Sequence, residues 1–442
     1  MHDFEHVNDS CLITTLKNTS TMTASTITDS DKNCGFEFIP YEEQWRQHTS
    51  RAKRSSRLKL FDNLFYATPD ALYLLACTNF GELAIWKVPD PTWEKQNQDD
   101  DGEDPKATDF RMPLARVKIS NGVLYSMKME EVDSSKEILI FSGDEGTMIF
   151  DWSQSILETA INDKTASWKP RAQFTPNPSP LEKTIEINQA CFDAGQKHLF
   201  GAAGDMFGCY KWNLETEQLL HTYRSPNRGY LHTVLLLSNH DSERNDHHLL
   251  MGGEDGILSL WDTAQDKIVE QMNMNEMNSG SGSLQSTSNN SNTISSSRKT
   301  KKRKASSSRW IGSVSQLNES WWGVGGGNLQ TQQSANGNSG FLATYHASTR
   351  SLVAFSETGE TIHQLAPSGN DGTTTGFWTV GNTDVVSQWN PWSLDREQQA
   401  SCNSPSGFCV ALAPDGRLAA GGVGPSMDLI ENDQSVFRFQ LE

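Results

Sequence analysis

Two polar clusters in this 442-residue chain have the composition of ligand sites. His240, Asp241, Asp246, His247 and His248 gather imidazole and carboxylate groups, the donors that zinc and related cations take. No thiol joins them and their spacing is irregular, so they read as a solvated connection between strands. Gly325-Gly326-Gly327 has the glycine content of a phosphate-cradling loop, but the Gly-Lys-Ser/Thr ending and the following helix are missing. A turn of a β repeat is expected there instead. No Gly-x-Ser-x-Gly elbow is present, and no Cys and His share a nucleophile context. The expectation is a chain without catalytic, cofactor or metal residues.

One tract has a different chemistry. Arg298, Lys299, Lys301, Lys302, Arg303 and Lys304 cluster in a Ser-rich stretch, and clustered cations on extended chain suit an acidic receptor groove. The tract is read as a nuclear import signal, against nonspecific RNA contact or a merely solvated charge run. Flanking serines would tune it by phosphorylation. The whole chain carries a formal charge of −18, which speaks against a duplex-wrapping surface. Seven cysteines without a Cys-x-x-Cys pair read as small buried or incidental thiols of a reducing compartment. No apolar run approaches membrane-spanning length, and residues 1–35 lack the apolar core of a secretory leader, so a soluble intracellular protein is expected.

The elements that position these residues announce themselves by repetition. Gly252-Gly253-Glu254-Asp255-Gly256-Ile257-Leu258-Ser259-Leu260-Trp261-Asp262 reads as a strand end, an Asp-Gly turn and a second strand closing on Trp-Asp. Weaker copies run from Thr78 to Trp86, Gly143 to Trp152, Gly204 to Trp212 and Gly381 to Trp389. Such a period implies an all-β, seven-bladed propeller at roughly 40–45 residues per blade. Blades are placed from Leu64, Val123, Ile185, Leu231, Arg309, Thr361 and Phe408, with Pro414-Asp415-Gly416 as a turn of the last. Closure is expected either with the terminal strand in its own blade or through an N-terminal strand near Phe61. Residues 1–58 read as a disordered Ser/Thr-rich tail and 59–442 as the propeller, interrupted by insert loops at 90–113, 273–308 and 328–339.

Trp86, Trp212, Trp261 and Trp389 recur at equivalent strand ends, so they read as wedges between blades rather than ligand-stacking platforms. Asp255, Gly256 and Asp262 are blade-structural by the same logic. Trp321 and Trp322 are adjacent in a predicted strand and must point to opposite sheet faces, which makes one of them a candidate partner contact; the alternative packs both between blades.

An ordered series of segments resembles the THO complex subunit 6 family of WD40-repeat proteins. It includes Asn79-Phe80-Gly81, Leu124-Tyr125-Ser126-Met127, Tyr230-Leu231-His232, Arg309-Trp310-Ile311-Gly312, Trp322 to Gly327, and Met427-Asp428-Leu429 with Phe437-Arg438-Phe439. The chain departs from that family where Pro226-Asn227 replaces a Gly-His pair, which implies loss of a His-to-Asp network in blade four, and where Tyr345 stands for a Trp. The resemblance implies a non-catalytic scaffold of the nuclear THO/TREX assembly, acting in messenger ribonucleoprotein packaging and mRNA export. It further implies contact with coiled-coil subunits of that complex and at most indirect RNA contact. A substrate receptor of a cullin-type ubiquitin ligase is the alternative; Trp261-Asp262-Thr263-Ala264 lacks the Arg that often closes a blade in such receptors.

Overall fold

A computed structural model describes residues 58–90, 111–133, 136–163, 168–176, 186–204, 207–225, 229–237, 248–277, 309–318, 320–328, 339–369, 376–432 and 434–441. The described strands form seven four-stranded antiparallel sheets, each built from consecutive strands. Blade one contains β1 (Leu60–Ala67), β2 (Leu72–Thr78), β3 (Glu82–Lys87) and β4 (Ala115–Lys118). Blade two contains β5 (Leu124–Asp133), β6 (Lys136–Gly143), β7 (Gly146–Trp152) and β8 (Ala172–Phe174); blade three β9 (Ile187–Asp193), β10 (His198–Ala203), β11 (Gly208–Asn213) and β12 (Leu219–Arg224). Blade four contains β13 (Leu231–Leu237), β14 (His248–Gly253), β15 (Ile257–Asp262) and β16 (Lys267–Asn273); blade five β17 (Arg309–Asn318), β18 (Trp321–Asn328), β19 (Gly340–His346) and β20 (Ser351–Thr358). Blade six is β21 (Ile362–Pro367), β22 (Phe377–Gly381), β23 (Val385–Trp389) and β24 (Arg396–Ser401), and blade seven β25 (Gly407–Leu412), β26 (Leu418–Gly422), β27 (Ser426–Glu431) and β28 (Gln434–Gln440).

The first strand of each blade touches the first strand of the next, and β25 returns to β1, so the blades form a closed ring around these strands. Apolar side chains gather in seven clusters, one at each junction between neighbouring blades. The middle strands carry near-continuous buried runs because both of their faces meet a neighbouring sheet, whereas outermost strands such as β12 and β24 are largely exposed. This is the seven-bladed WD40-type propeller that the repeats imply.

Among the described residues no strand is exchanged at the seam between blades seven and one: β28 pairs within its own blade. Packing of Leu60, Leu74 and Trp86 against Met427, Leu429 and Phe439 holds it together. Trp86 Nε1 donates to the Gln440 carbonyl at 3.1 Å, Asn63 Nδ2 to the Ala419 carbonyl at 3.2 Å, and Arg417 Nη1 to the Pro89 carbonyl at 2.7 Å. Gly424 N donates to the Leu58 carbonyl at 2.9 Å.

Three elements differ from the sequence reading. Helix α1 (Gln154–Asn162) occupies the connection after β7; the Ser153 side chain caps it by accepting from Ile156 N, and Leu157 and Ala160 are buried. β8 and β24 complete blades two and six although the sequence showed no strand there. Gly325-Gly326-Gly327 lies inside β18 rather than in a turn. A Cβ on Gly326 would stand 1.9 Å from the Trp310 carbonyl oxygen, so the glycines admit β17 and blade six at close range. The insert after blade four also starts later than expected: Asn273 ends β16, and a 3-10 turn at Met274–Glu276 follows. The Asn275 side chain accepts from Arg309 N at 2.6 Å, fastening the start of β17 to this turn.

Candidate partner-docking site

Every first strand carries a β-bulge at one register. The pairing skips between Leu60 and Asp62, Leu124 and Ser126, Leu231 and Thr233, and Ile311 and Ser313. It skips again between Ile362 and Gln364, between Gly407 and Cys409, and opposite Ala202 and Ala203 in β9. Each bulge turns one residue toward the end of the ring where the first strands begin. The residue after the bulge faces the adjoining blade, and several of these are polar. Gln189 Oε1 accepts from Val234 N at 2.9 Å, Thr233 Oγ1 from Val314 N at 3.2 Å, Ser313 Oγ from Leu365 N at 3.3 Å and Gln364 Oε1 from Val410 N at 2.6 Å. Asp62 continues the belt: its carboxylate accepts from Met127 N at 2.8 Å and from Gln364 Nε2 at 3.0 Å. Burial outweighs these donors and pushes the Asp62 carboxyl up to about 6. The belt supplies partners for amides that a bulge leaves off the ladder, which fixes blade against blade.

The structure places the sequence-predicted wedge residues as follows. Trp86, Trp212, Trp261, Tyr345 and Trp389 are all buried in third strands. Tyr345 stacks on its cross-strand partner Trp322 with centroids 4.3 Å apart and planes 7° apart. Asp255 accepts from Ile257 N at 3.0 Å and from Ser225 Oγ at 2.9 Å, so a serine hydroxyl holds the turn in a blade whose family histidine is missing from this chain. Gly256 has φ +67°, a conformation that favours glycine. Asp262 Oδ1 accepts from Ala264 N at 2.8 Å and Gln265 N at 2.9 Å, capping the hairpin to β16. The basic tract Arg298, Lys299, Lys301, Lys302, Arg303 and Lys304 lies outside the described residues, as do His240, Asp241, Asp246 and His247. His248 begins β14. Among the described residues no group of His, Cys, Asp and Glu is arranged to hold a metal ion.

Trp321 and Trp322 are both buried, at 7% and 1% exposure, which corrects the expectation that one faces solvent. The reason is the neighbouring blade. The β23–β24 turn folds over Trp321, and the exposed indole at this edge belongs to Trp392, at 62%. Trp392 meets Trp321 edge to face with centroids 4.1 Å apart. Its turn is fixed: Asn390 Oδ1 accepts from Trp392 N at 2.9 Å and Ser393 N at 3.2 Å, and Thr344 Oγ1 donates to the Pro391 carbonyl at 2.7 Å. An indole held out on a rigid turn loses little side-chain freedom on contact, the property of an interface anchor.

Beside it lies a recess of about 80 Å³ between blades four and five, lined by Trp321, Trp322, His248, Gln316 and Arg350 among others. Arg350 Nη2 stands 3.2 Å from His248 Nε2. The recess is far below the ~300 Å³ of a small-molecule site and fits one side chain of a partner. Further apolar exposure follows the rim: Leu219 and Leu220 on β12, Ile268 and Val269 on β16, and Val353 on β20 are 37–46% exposed on the outermost strands of three successive blades.

No protein-family profile matches the chain. The chain is similar to THO complex subunit 6 of Arabidopsis thaliana, at 26% identity over 175 residues. The match covers 38% of this chain and 45% of the relative, so it spans under half of that protein's length. A seven-bladed WD40-type propeller, similar to THO complex subunit 6 over part of its sequence, is what sequence and structure together show.

Proposed function

We propose that the chain is a non-catalytic WD40 scaffold of a THO/TREX-type nuclear assembly, serving messenger ribonucleoprotein packaging and mRNA export through contacts with other proteins. The observation that carries this reading is the apolar exposure on three adjacent outer strands together with Trp392 on its fixed turn. Exposed apolar side chains on the outermost strands of successive blades are of the kind that mark protein interfaces, and a partner helix laid along the rim would cover them. The coiled-coil subunits of such an assembly supply that shape. The resemblance to THO complex subunit 6 names the assembly, and the acidic net charge agrees with RNA contact that is indirect. In this reading the tract Arg298 to Lys304 directs nuclear import.

The test is affinity purification of the tagged chain from nuclear extract, with and without RNase. Nuclease-resistant recovery of THO subunits supports the proposal. Recovery of a cullin and its adaptor in their place would replace it with the ligase-receptor reading.

A further inference from the structure

The residues turned out by the bulges form an aromatic arc around the mouth of the ring. Phe61 from β1 contacts Tyr125 from β5 and Phe408 from β25, each at 5.4 Å between ring centroids. Phe408 stacks on His363 of β21 at 5.0 Å, and His363 faces Trp310 at 6.4 Å. Trp310 contacts His232 at 5.3 Å, and His232 contacts Tyr230 at 5.1 Å. Blade five has glycine at the bulge, and Trp310 fills the vacancy: a Cβ on Gly312 would stand 2.8 Å from the Trp310 ring. All seven residues are partly buried, with some surface left open to solvent. A core would bury them, and a solvated rim would not stack them.

The charge around this arc has one dominant sign. The turns between second and third strands, and the links from one blade to the next, open at the same end as the bulges. They carry Asp144, Glu145, Glu186, Glu254 and Asp255, while the exposed cations at this end among the described residues include Lys59 at the start of β1, Lys118, whose Nζ donates to the Phe80 carbonyl at 2.6 Å, and Arg224 at the end of β12. Tyr125 Oη donates to Asp144 Oδ1 at 3.0 Å, which turns the carboxylate field onto the arc itself. Both imidazoles are neutral near pH 7. Burial, with repulsion between the two rings were both protonated, holds His232 down at about 4, and burial lowers His363, whose Nδ1–H donates to the Gly407 carbonyl at 2.8 Å. Aromatic faces inside an acidic collar attract a cation by quadrupole and by charge at once.

We propose that this mouth is a docking point for a Lys or Arg side chain carried by a basic segment of a partner protein. The acidic collar rejects RNA phosphate and acidic peptides, so the occupant is a basic polypeptide. This contact stands apart from the apolar rim and from the identity of the assembly.

The probe is a blocked eight-residue Arg/Lys peptide bearing a fluorophore, titrated into the full chain by anisotropy, beside a Glu peptide and oligo-U RNA of equal length. The basic peptide is expected to bind selectively. Replacing both Trp310→Leu and Phe408→Leu, which keeps apolar bulk but removes two π faces, is expected to weaken it about tenfold or more. Unaltered affinity in the double variant, or equal binding of RNA, would overturn the proposal. Binding that appears only after Arg298, Lys299, Lys301, Lys302, Arg303 and Lys304 are replaced by Ala would also overturn it, by making the chain's own tract the occupant. Should the double variant not fold, a photo-crosslinking form of the peptide decides on the unaltered protein. Crosslinks to β1, β5, β17 or β25 near their bulges support the site, and crosslinks elsewhere contradict it.

Discussion

Replacing Asp62 by Asn should change how stability depends on pH by a calculable amount. Its carboxylate is 8% exposed, and its folded-state value of about 6 lies above the ordinary 3.8 because burial disfavours the charge. Between those values the folded protein holds a proton that the unfolded chain releases. The contribution of Asp62 is therefore most favourable at low pH and is lost as pH rises through about 6, by about 3 kcal/mol in full. About 1.4 kcal/mol of that loss falls between pH 5 and pH 8. In Asp62→Asn the titration disappears, while an amide N–H₂ now faces the Met127 N–H and costs about 1–3 kcal/mol at every pH. His232 has the opposite sign: its folded value of about 4 means that stability present above 6.5 is lost as pH falls. It is common to both proteins and cancels in the difference. Urea unfolding followed by tryptophan fluorescence at pH 5 and pH 8 measures the quantity. The stability difference between variant and wild type should shift by about 1.4 kcal/mol in the variant's favour on going from pH 5 to pH 8. A gap that is the same at both pH values would refute the view that a desolvated carboxylate sits in the inner belt.

Other perturbations follow from the packing. Gly326→Ala, which drives a Cβ onto the Trp310 carbonyl, should cost more than about 3 kcal/mol, while Gly359→Ala, with open space around it, should be neutral or gain about 0.4–1 kcal/mol by the same unfolding measurement. Phe439→Ala at the seam, where the ring is 0% exposed and meets Trp86 at 5.9 Å, should cost about 3–5 kcal/mol and raise proteolysis near β28, since no exchanged strand holds the ring shut. Replacing Lys301, Lys302, Arg303 and Lys304 by Ala should move a fluorescently tagged chain toward the cytoplasm, and unchanged nuclear retention would count against an import signal.

The propeller was legible because its signal is periodic: Asp255-Gly256 turns and Trp86, Trp212, Trp261 and Trp389 at matching strand ends are fixed by blade geometry. The outer strands β8 and β24 were not. Arg396 to Ser401 in β24 is almost wholly solvated, so no apolar alternation marks it. Helix α1 did leave a trace in Ser153 followed by Ile156, Leu157 and Ala160, but in so short a stretch it passed as connection. The glycine run misled because a close blade and a sharp turn both demand the missing Cβ. At the edge of blade five the sequence singled out Trp321 and Trp322 and left open whether one is exposed; the structure buries both, as the alternative had it, and exposes Trp392 instead. Which tryptophan is covered depends on a turn from the next blade, about seventy residues on, and on contacts that no local pattern encodes.

The central claim is that a closed, rigid ring works by presenting its outer surface. Hydrogen-exchange mass spectrometry of the full chain, alone and in its purified assembly, tests this most directly. The account predicts new protection at β12, β16, β20 and the Asn390 to Asp395 turn, with the inner and middle strands equally slow in both states. Protection confined to other blades, or inner strands that exchange rapidly until a partner binds, would contradict it.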